Sequence, residues 1–153
     1  VAGVMANSLP LLNSFYSAFG HFRGGGTFTP AERQVLLLTN AVTNSSEWAV
    51  AFHSIEAIED GVPPAEVDLI RRRELPTDPR FAALFVLSRT LIEKRGHLDE
   101  ADVKAFTSAG FDDEQVLETI TCVAISTMTN YAVNVAQPPL EAAFQSQVWG
   151  RAY

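Results

Sequence analysis

Apolar residues recur along this chain at intervals of three and four, which gathers them on one face of an α-helix. Leu11, Leu12, Phe15, Phe19 and Phe22 form such a stripe from Leu9 to Phe22, opened by Pro10. Arg23-Gly24-Gly25-Gly26 follows, and its glycines are expected to break the helix. Thr29-Pro30-Ala31-Glu32 predicts a new start: Thr29 caps, Pro30 fits the first helical position and Glu32 completes a capping box. This helix should run to about Val42. Val35, Leu36, Leu37 and Leu38 nearly encircle it, so it should be buried on most sides. Gln34 and Asn40 within it should then need polar partners.

Asn44 or Ser45 is expected to cap the next helix, from Ser46 to about Asp60, which Gly61 stops. A short helix follows Val62-Pro63-Pro64 and ends at Arg71-Arg72-Arg73, and Leu75-Pro76-Thr77-Asp78-Pro79 reads as a turn. Phe81, Leu84, Phe85, Leu87, Leu91 and Ile92 make an amphipathic helix from Phe81 to Arg95, ended by Gly96. Asp99 caps another, with Leu98 and Val103 placed as a hydrophobic staple, and Gly110 ends it. Asp112 caps the last long helix, which runs to about Ala136, with Phe111 and Val116 repeating the staple. Its middle, Ile120 to Ile125, is apolar on nearly all faces, and Pro138-Pro139 ends it. Leu140 to Trp149 reads as a short terminal helix. Its Phe144, Val148 and Trp149 call for a neighbour, a second subunit among the candidates. No alternating strand pattern is bounded by turn signals, and there is no repeat or linker. The prediction is an all-α fold of about seven or eight helices in a single domain spanning residues 1–153.

Composition narrows the function classes. A net charge of -7 and a pI near 4.8 argue against a nucleic-acid partner, which calls for clustered Lys and Arg. The one basic cluster, Arg71-Arg72-Arg73, sits at a helix end, where it complements the carbonyl dipole. No apolar run reaches ~20 residues, so no membrane span is expected. No charged n-region precedes an apolar run, so no signal peptide is expected within the sequence. The chain begins at Val1, which leaves room for a segment upstream. Cys122 is the single cysteine and cannot form an internal disulfide, in keeping with a cytoplasmic location.

The stretch Asn44-Ser45-Ser46-Glu47-Trp48-Ala49-Val50-Ala51-Phe52-His53 concentrates the candidate chemistry. Helical spacing lines up Ser46, Ala49, Val50 and His53, with Glu47 a quarter-turn away and Glu56 three residues beyond His53. A Ser46 nucleophile with His53 as base fails on geometry. Two turns separate them by about 10.5 Å along the axis, and no oxyanion-hole motif accompanies them. A metal site on His53 and Glu56 lacks the further carboxylates that helical-bundle metal centres use. His21 and His97 fall at a helix end and in a turn, where capping or solvation is the simpler role. A structural reading also stands: His53 as a hydrogen-bonded interior residue, with Trp48 and Phe52 as core or interface aromatics.

In the same stretch the sequence resembles the alkylhydroperoxidase-D-like, or carboxymuconolactone decarboxylase, superfamily. Thr29-Pro30-Ala31-Glu32-Arg33-Gln34 looks like that family's helix opening, and Asn44 to His53 is similar to its "N-x-C-x-Y-C-x-x-x-H" motif. Asp78-Pro79-Arg80-Phe81-Ala82-Ala83-Leu84 and Ala109-Gly110-Phe111-Asp112 resemble its downstream stretches, and Thr129-Asn130-Tyr131 and Pro139-Leu140-Glu141 its closing segments. The order and spacing of these pieces, over nearly the whole chain, are more specific than any one of them.

The resemblance implies an AhpD-like helical domain that assembles as a homo-oligomer: a dimer, trimer or hexamer. For the family's thiol peroxidases it implies two cysteines that reduce a hydroperoxide and close a disulfide, with a Glu and a His moving protons. Here those cysteines fall on Ser46 and Ala49 and the Glu on Gln34, and only the His remains, as His53. The expectation is therefore a protein of the peroxidase-related, antioxidant family that is not a thiol peroxidase. It would be a non-catalytic oligomer, or would bind a small organic molecule in a vestigial pocket. The alternative implied by the decarboxylase branch is a lyase that needs no metal or cofactor. In it His53 is the acid or base, oriented by Glu47 or Glu56, and Ser46 and Gln34 hold the substrate. Arg33 is expected on a different helix face from Gln34, and Cys122 is expected to be an inert core residue.

Overall fold

Helix follows helix because each stretch carries its own start and stop signals. The computed structural model describes residues 1–150, and among them α1 (Ala2–Met5), α2 (Leu9–Gly25), α3 (Pro30–Thr43) and α4 (Glu47–Glu59) come first. Next are α5 (Pro64–Arg71), α6 (Pro79–Glu93), α7 (Glu100–Thr107) and α8 (Asp113–Ala136), then a 3-10 turn over Ala142–Gln147. The described residues contain no strand, as expected. The capping boxes predicted from Thr29 and Glu32, and the caps at Asp99 and Asp112, are all formed. The predicted stops Gly61, Gly96 and Gly110 all take positive φ, which a Cβ would strain.

α3 is the axis of the fold. It packs on α4, α5, α6 and α8, and Gln34 through Val42 are all buried. Glu32 at its start is buried too, and its second carboxylate oxygen receives Arg80 of α6 at 2.8 Å. The Arg80 guanidinium lies over the Phe111 ring at 4.1 Å, tying α3, α6 and the start of α8 together. Along the α3–α8 contact Asn40 Nδ2 donates to Leu36 O and to Cys122 Sγ, so the donor half of this buried amide finds the partners it was expected to need, while its buried Oδ1 has none among the described residues.

Three sequence expectations are corrected. The glycines do not end α2 where expected: the helix runs through Gly24 and Gly25 and is capped at Gly26. Packing of α2 on α8 outweighs a propensity cost of about 1 kcal/mol per glycine. Neither Asn44 nor Ser45 caps α4. Asn44 closes α3, Ser45 turns left-handed at φ 51°, and Ser46 N donates to Ala41 O while Ser45 N donates to Val42 O. This is a Schellman closure of α3 that makes Ser46 the N-cap of α4 with no side-chain cap bond. The terminal helix expected from Leu140 to Trp149 is a 3-10 turn over Ala142–Gln147, and its aromatics find the neighbour they call for within the chain. Phe144 packs on Trp48 and Phe52, and Trp149 is buried, with Nε1 donating to Arg71 O at 3.0 Å. The arginine cluster serves carbonyls beyond its own helix: Arg71 holds Gln147 O and Val148 O, and Arg73 reaches Val42 O at the end of α3.

Where α2 turns into α3, Glu118 of α8 accepts Thr27 N and Thr27 Oγ1. A Cβ on Gly26 would stand 2.1 Å from Glu118 Oε1 and 2.5 Å from Phe22 O. The carboxylate could swing away but the carbonyl could not. Gly26→Ala should therefore destabilise the protein by roughly 1–3 kcal/mol in urea denaturation, and Glu118→Ala should not restore it.

Candidate functional site

α4 sets its Ala49, Phe52, His53 and Glu56 on the face that meets α2 and α3. Together with α8 these helices enclose a cavity of about 430 Å³. Its walls are aromatic: Phe15, Phe19 and Phe22 from α2, Trp48 and Phe52 from α4. Phe15 and Phe19 stack at 5.4 Å, and Trp48 and Phe52 at 5.2 Å, both four residues apart on one helix face. At the polar end lie Arg23, Arg33, Gln34, His53, Glu56 and Asp60.

A hydrogen-bonded chain orders that end. Gln34 Nε2 donates to Asp60 Oδ2 at 3.0 Å, and Gln34 Oε1 lies 3.2 Å from His53 Nδ1. The carboxylate can only accept, so the amide must present its oxygen to the imidazole. His53 therefore carries its proton on Nδ1, and the lone pair on Nε2 is left without a protein partner among the described residues. Part of the ring opens on the cavity, yet burial pushes its pKa down from 6.5 to about 4. At neutral pH His53 is an uncharged hydrogen-bond acceptor. Glu56 is shifted up, first by burial and then by repulsion from Glu59 and Asp60, against the pull of Arg23. Arg33 is half-buried and gives one N–H to Phe28 O at 2.8 Å, and no carboxylate pairs with it among the described residues.

The structure brings some of the sequence-derived residues together and leaves others apart. His53, Gln34, Ala49, Trp48 and Glu56 all line the cavity. Ser46 does not: it is sealed at 0% exposure beneath the start of α4, and its hydroxyl has no protein partner. Glu47 points outward and is exposed. The imidazole is oriented by Gln34 of α3, while Glu56 lines the same cavity. Arg33 lines the same cavity as Gln34, although it was expected on a different helix face. Sequence reasoning also missed Asp60 and the α2 aromatics. Asp60 lies seven residues past His53, a same-face spacing that would have found it. No group of three metal-ligating side chains converges among the described residues. Cys122 is fully buried and its thiol is pushed up to about 12, first by burial, so it is an inert core residue as expected. His21 and His97 are exposed and lie outside the cavity.

No protein-family profile matches this sequence, and no curated protein matches it. Solved structures do share its fold. An alkylhydroperoxidase AhpD core, an uncharacterized peroxidase-related protein from Ralstonia eutropha JMP134, matches with a TM-score of 0.81 at 18% identity, over 92% of this chain and 75% of its own. A cysteine-to-alanine variant of the debrominase Bmp8, in complex with 2,3,4-tribromopyrrole, matches with a TM-score of 0.69 at 15% identity, over 94% of this chain and 77% of its own. At these identities the likeness establishes the AhpD-like fold and leaves the chemistry open.

The depressed imidazole makes stability depend on pH. Unfolded, His53 binds a proton near pH 6.5; folded, only near 4. Between these values the unfolded chain holds more protons, so the contribution is complete above about pH 6.5 and is lost as pH falls toward 4. The expected loss by pH 4 is on the order of 2–3 kcal/mol. Urea midpoints at pH 7.5 and 4.5 should differ by less in His53→Gln than in the parent protein.

Proposed function

We propose that this protein binds a small aromatic compound in the α2–α3–α4–α8 cavity and does not work as a thiol peroxidase. One observation carries the reading: the cavity joins aromatic walls to an uncharged imidazole whose Nε2 has no protein partner among the described residues, and to the guanidinium of Arg33, which has no carboxylate partner among them. Such a site suits a planar ring bearing a hydroxyl, N–H or acidic group that donates to Nε2. The halogenated pyrrole held by the debrominase of the same fold is a compound of this size and shape. Thiol chemistry has no support at the site. Ala49 stands on the cavity wall, Ser46 is sealed off, and the sequence's one cysteine, Cys122, is buried with a raised pKa.

A second reading, acid–base catalysis by His53 without metal or cofactor, is supported by the Asp60–Gln34–His53 chain that fixes the ring and its tautomer. A base works best with a pKa near the operating pH, and His53 sits near 4. Binding is therefore the better-supported role, and catalysis requires a ligand that raises this pKa. We also propose a homo-oligomer in the cytoplasm. Assembly is supported by the outer face of α8, where Leu117, Ile120, Tyr131 and Val135 are 66%, 47%, 56% and 87% exposed. No helix among the described residues is long and apolar enough to cross a membrane.

Phenol titrated into the labelled protein should shift the backbone resonances of Gln34, Phe52 and His53. His53→Ala should weaken phenol by about tenfold while leaving toluene unchanged, since only phenol donates to Nε2. Equal effects on both ligands would remove the imidazole from the reading. With cumene hydroperoxide and a dithiol donor, consumption should match the protein-free rate; turnover abolished by His53→Ala would overturn the exclusion of peroxidase activity. Light scattering should report more than one copy per particle, and Leu117→Lys with Val135→Lys should lower the mass.

A further inference from the structure

The terminal segment crosses the outer side of α4 and is tied down at both ends. At its start Trp48 Nε1 donates to Glu141 Oε2 at 2.7 Å, a short, charge-assisted bond. At its end Arg71 donates to Gln147 O at 3.2 Å and Val148 O at 3.1 Å, while also bonding Ser54 Oγ of α4 at 2.7 Å. Trp149 is buried against the same arginine's carbonyl. Between these anchors Phe144 stands edge-on to both rings of the stacked pair: 5.8 Å and 79° from Trp48, 5.3 Å and 88° from Phe52. Trp48 and Phe52 line the cavity, and no described residue of the terminal segment does.

The geometry points to a brace: Phe144, anchored through Glu141, sets how far the Trp48–Phe52 wall stands into the cavity and so which ring sizes fit. This rests on the small-molecule reading above. An aromatic pair on a helix surface turns about two side-chain torsions each, and without support it can swing outward. The edge of Phe144 behind both rings blocks that retreat. The bond from Glu141 fixes the indole against rotation. Phe144 is thus a positioning residue that acts through two cavity-lining rings, and its removal opens space behind the wall. A bicyclic ring then gains over a monocyclic one.

The test compares phenol with 2-naphthol by titration against the full chain, in the parent protein, Phe144→Ala, Phe144→Leu and Glu141→Gln. Phe144→Ala should shift the ratio of the two dissociation constants toward 2-naphthol by about tenfold. Phe144→Leu, which keeps bulk behind the wall, should restore most of the parent ratio. Loss of packing alone would weaken both probes together and leave the ratio unchanged, and that result overturns the brace while the binding reading stands. If neither probe binds the parent protein, the binding reading fails and takes the brace with it. Glu141→Gln keeps the core intact and covers the case in which Phe144→Ala does not fold. It should move the Trp48 indole N–H resonance and shift the ratio in the same direction; an unmoved resonance and ratio would sink the proposal.

Discussion

Burial of α3 on every side is the constraint on which the rest of the structure depends. A helix packed by four others can keep polar side chains only if each finds a partner inside the protein. Glu32 answers with its capping box and Arg80, Thr39 with the carbonyl one turn back, and the Asn40 amide nitrogen with Leu36 O and Cys122, the Asn40 oxygen alone being left over among these groups. Gln34 answers by bridging two other elements at once. Its donor goes to Asp60 and its acceptor to His53. The ordering of the site is therefore a consequence of how the central helix satisfies its own polar groups.

That bridge also explains why an amide suits this position. A carboxylate at residue 34 would set a second negative charge beside Asp60, whose oxygen lies 3.0 Å from the Gln34 nitrogen. It would also favour a charged imidazole. The amide pairs with Asp60 without repulsion and leaves His53 free to stay neutral. With Ala49 on the cavity wall and Ser46 sealed beneath α4, the polar side chains that line the cavity include the His53 imidazole and the Arg33 guanidinium, and no thiol is among them. Fold and chemistry are separable here because a few side chains define the reaction while many define the packing.

The terminal segment shows the same economy. Its Phe144 finds a neighbour on α4 and its Trp149 one at Arg71 and Arg73, at and just beyond the end of α5. The apolar face still uncovered lies elsewhere, on the outer side of α8.

What the sequence determined by itself is what depends on neighbours a few residues away. The helical periods, the capping box at Thr29, the caps at Asp99 and Asp112 and the glycine stops were all legible. Each is decided within about one turn of chain. The His53 position was legible for the same reason, through its local motif. What only the tertiary structure decided depends on which helices meet. Residues 34 and 53 become hydrogen-bond partners because α3 and α4 pack together, and no spacing in the sequence encodes that distance. The place of Arg33 on the cavity wall, the run of α2 through Gly24 and Gly25 and the left-handed Ser45 that moves the α4 cap are of this kind. In α2, packing on α8 overrode a helix-propensity cost of about 1 kcal/mol per glycine. The neutral state of His53 belongs with them, because an imidazole loses its affinity for a proton only when a folded protein takes it out of water.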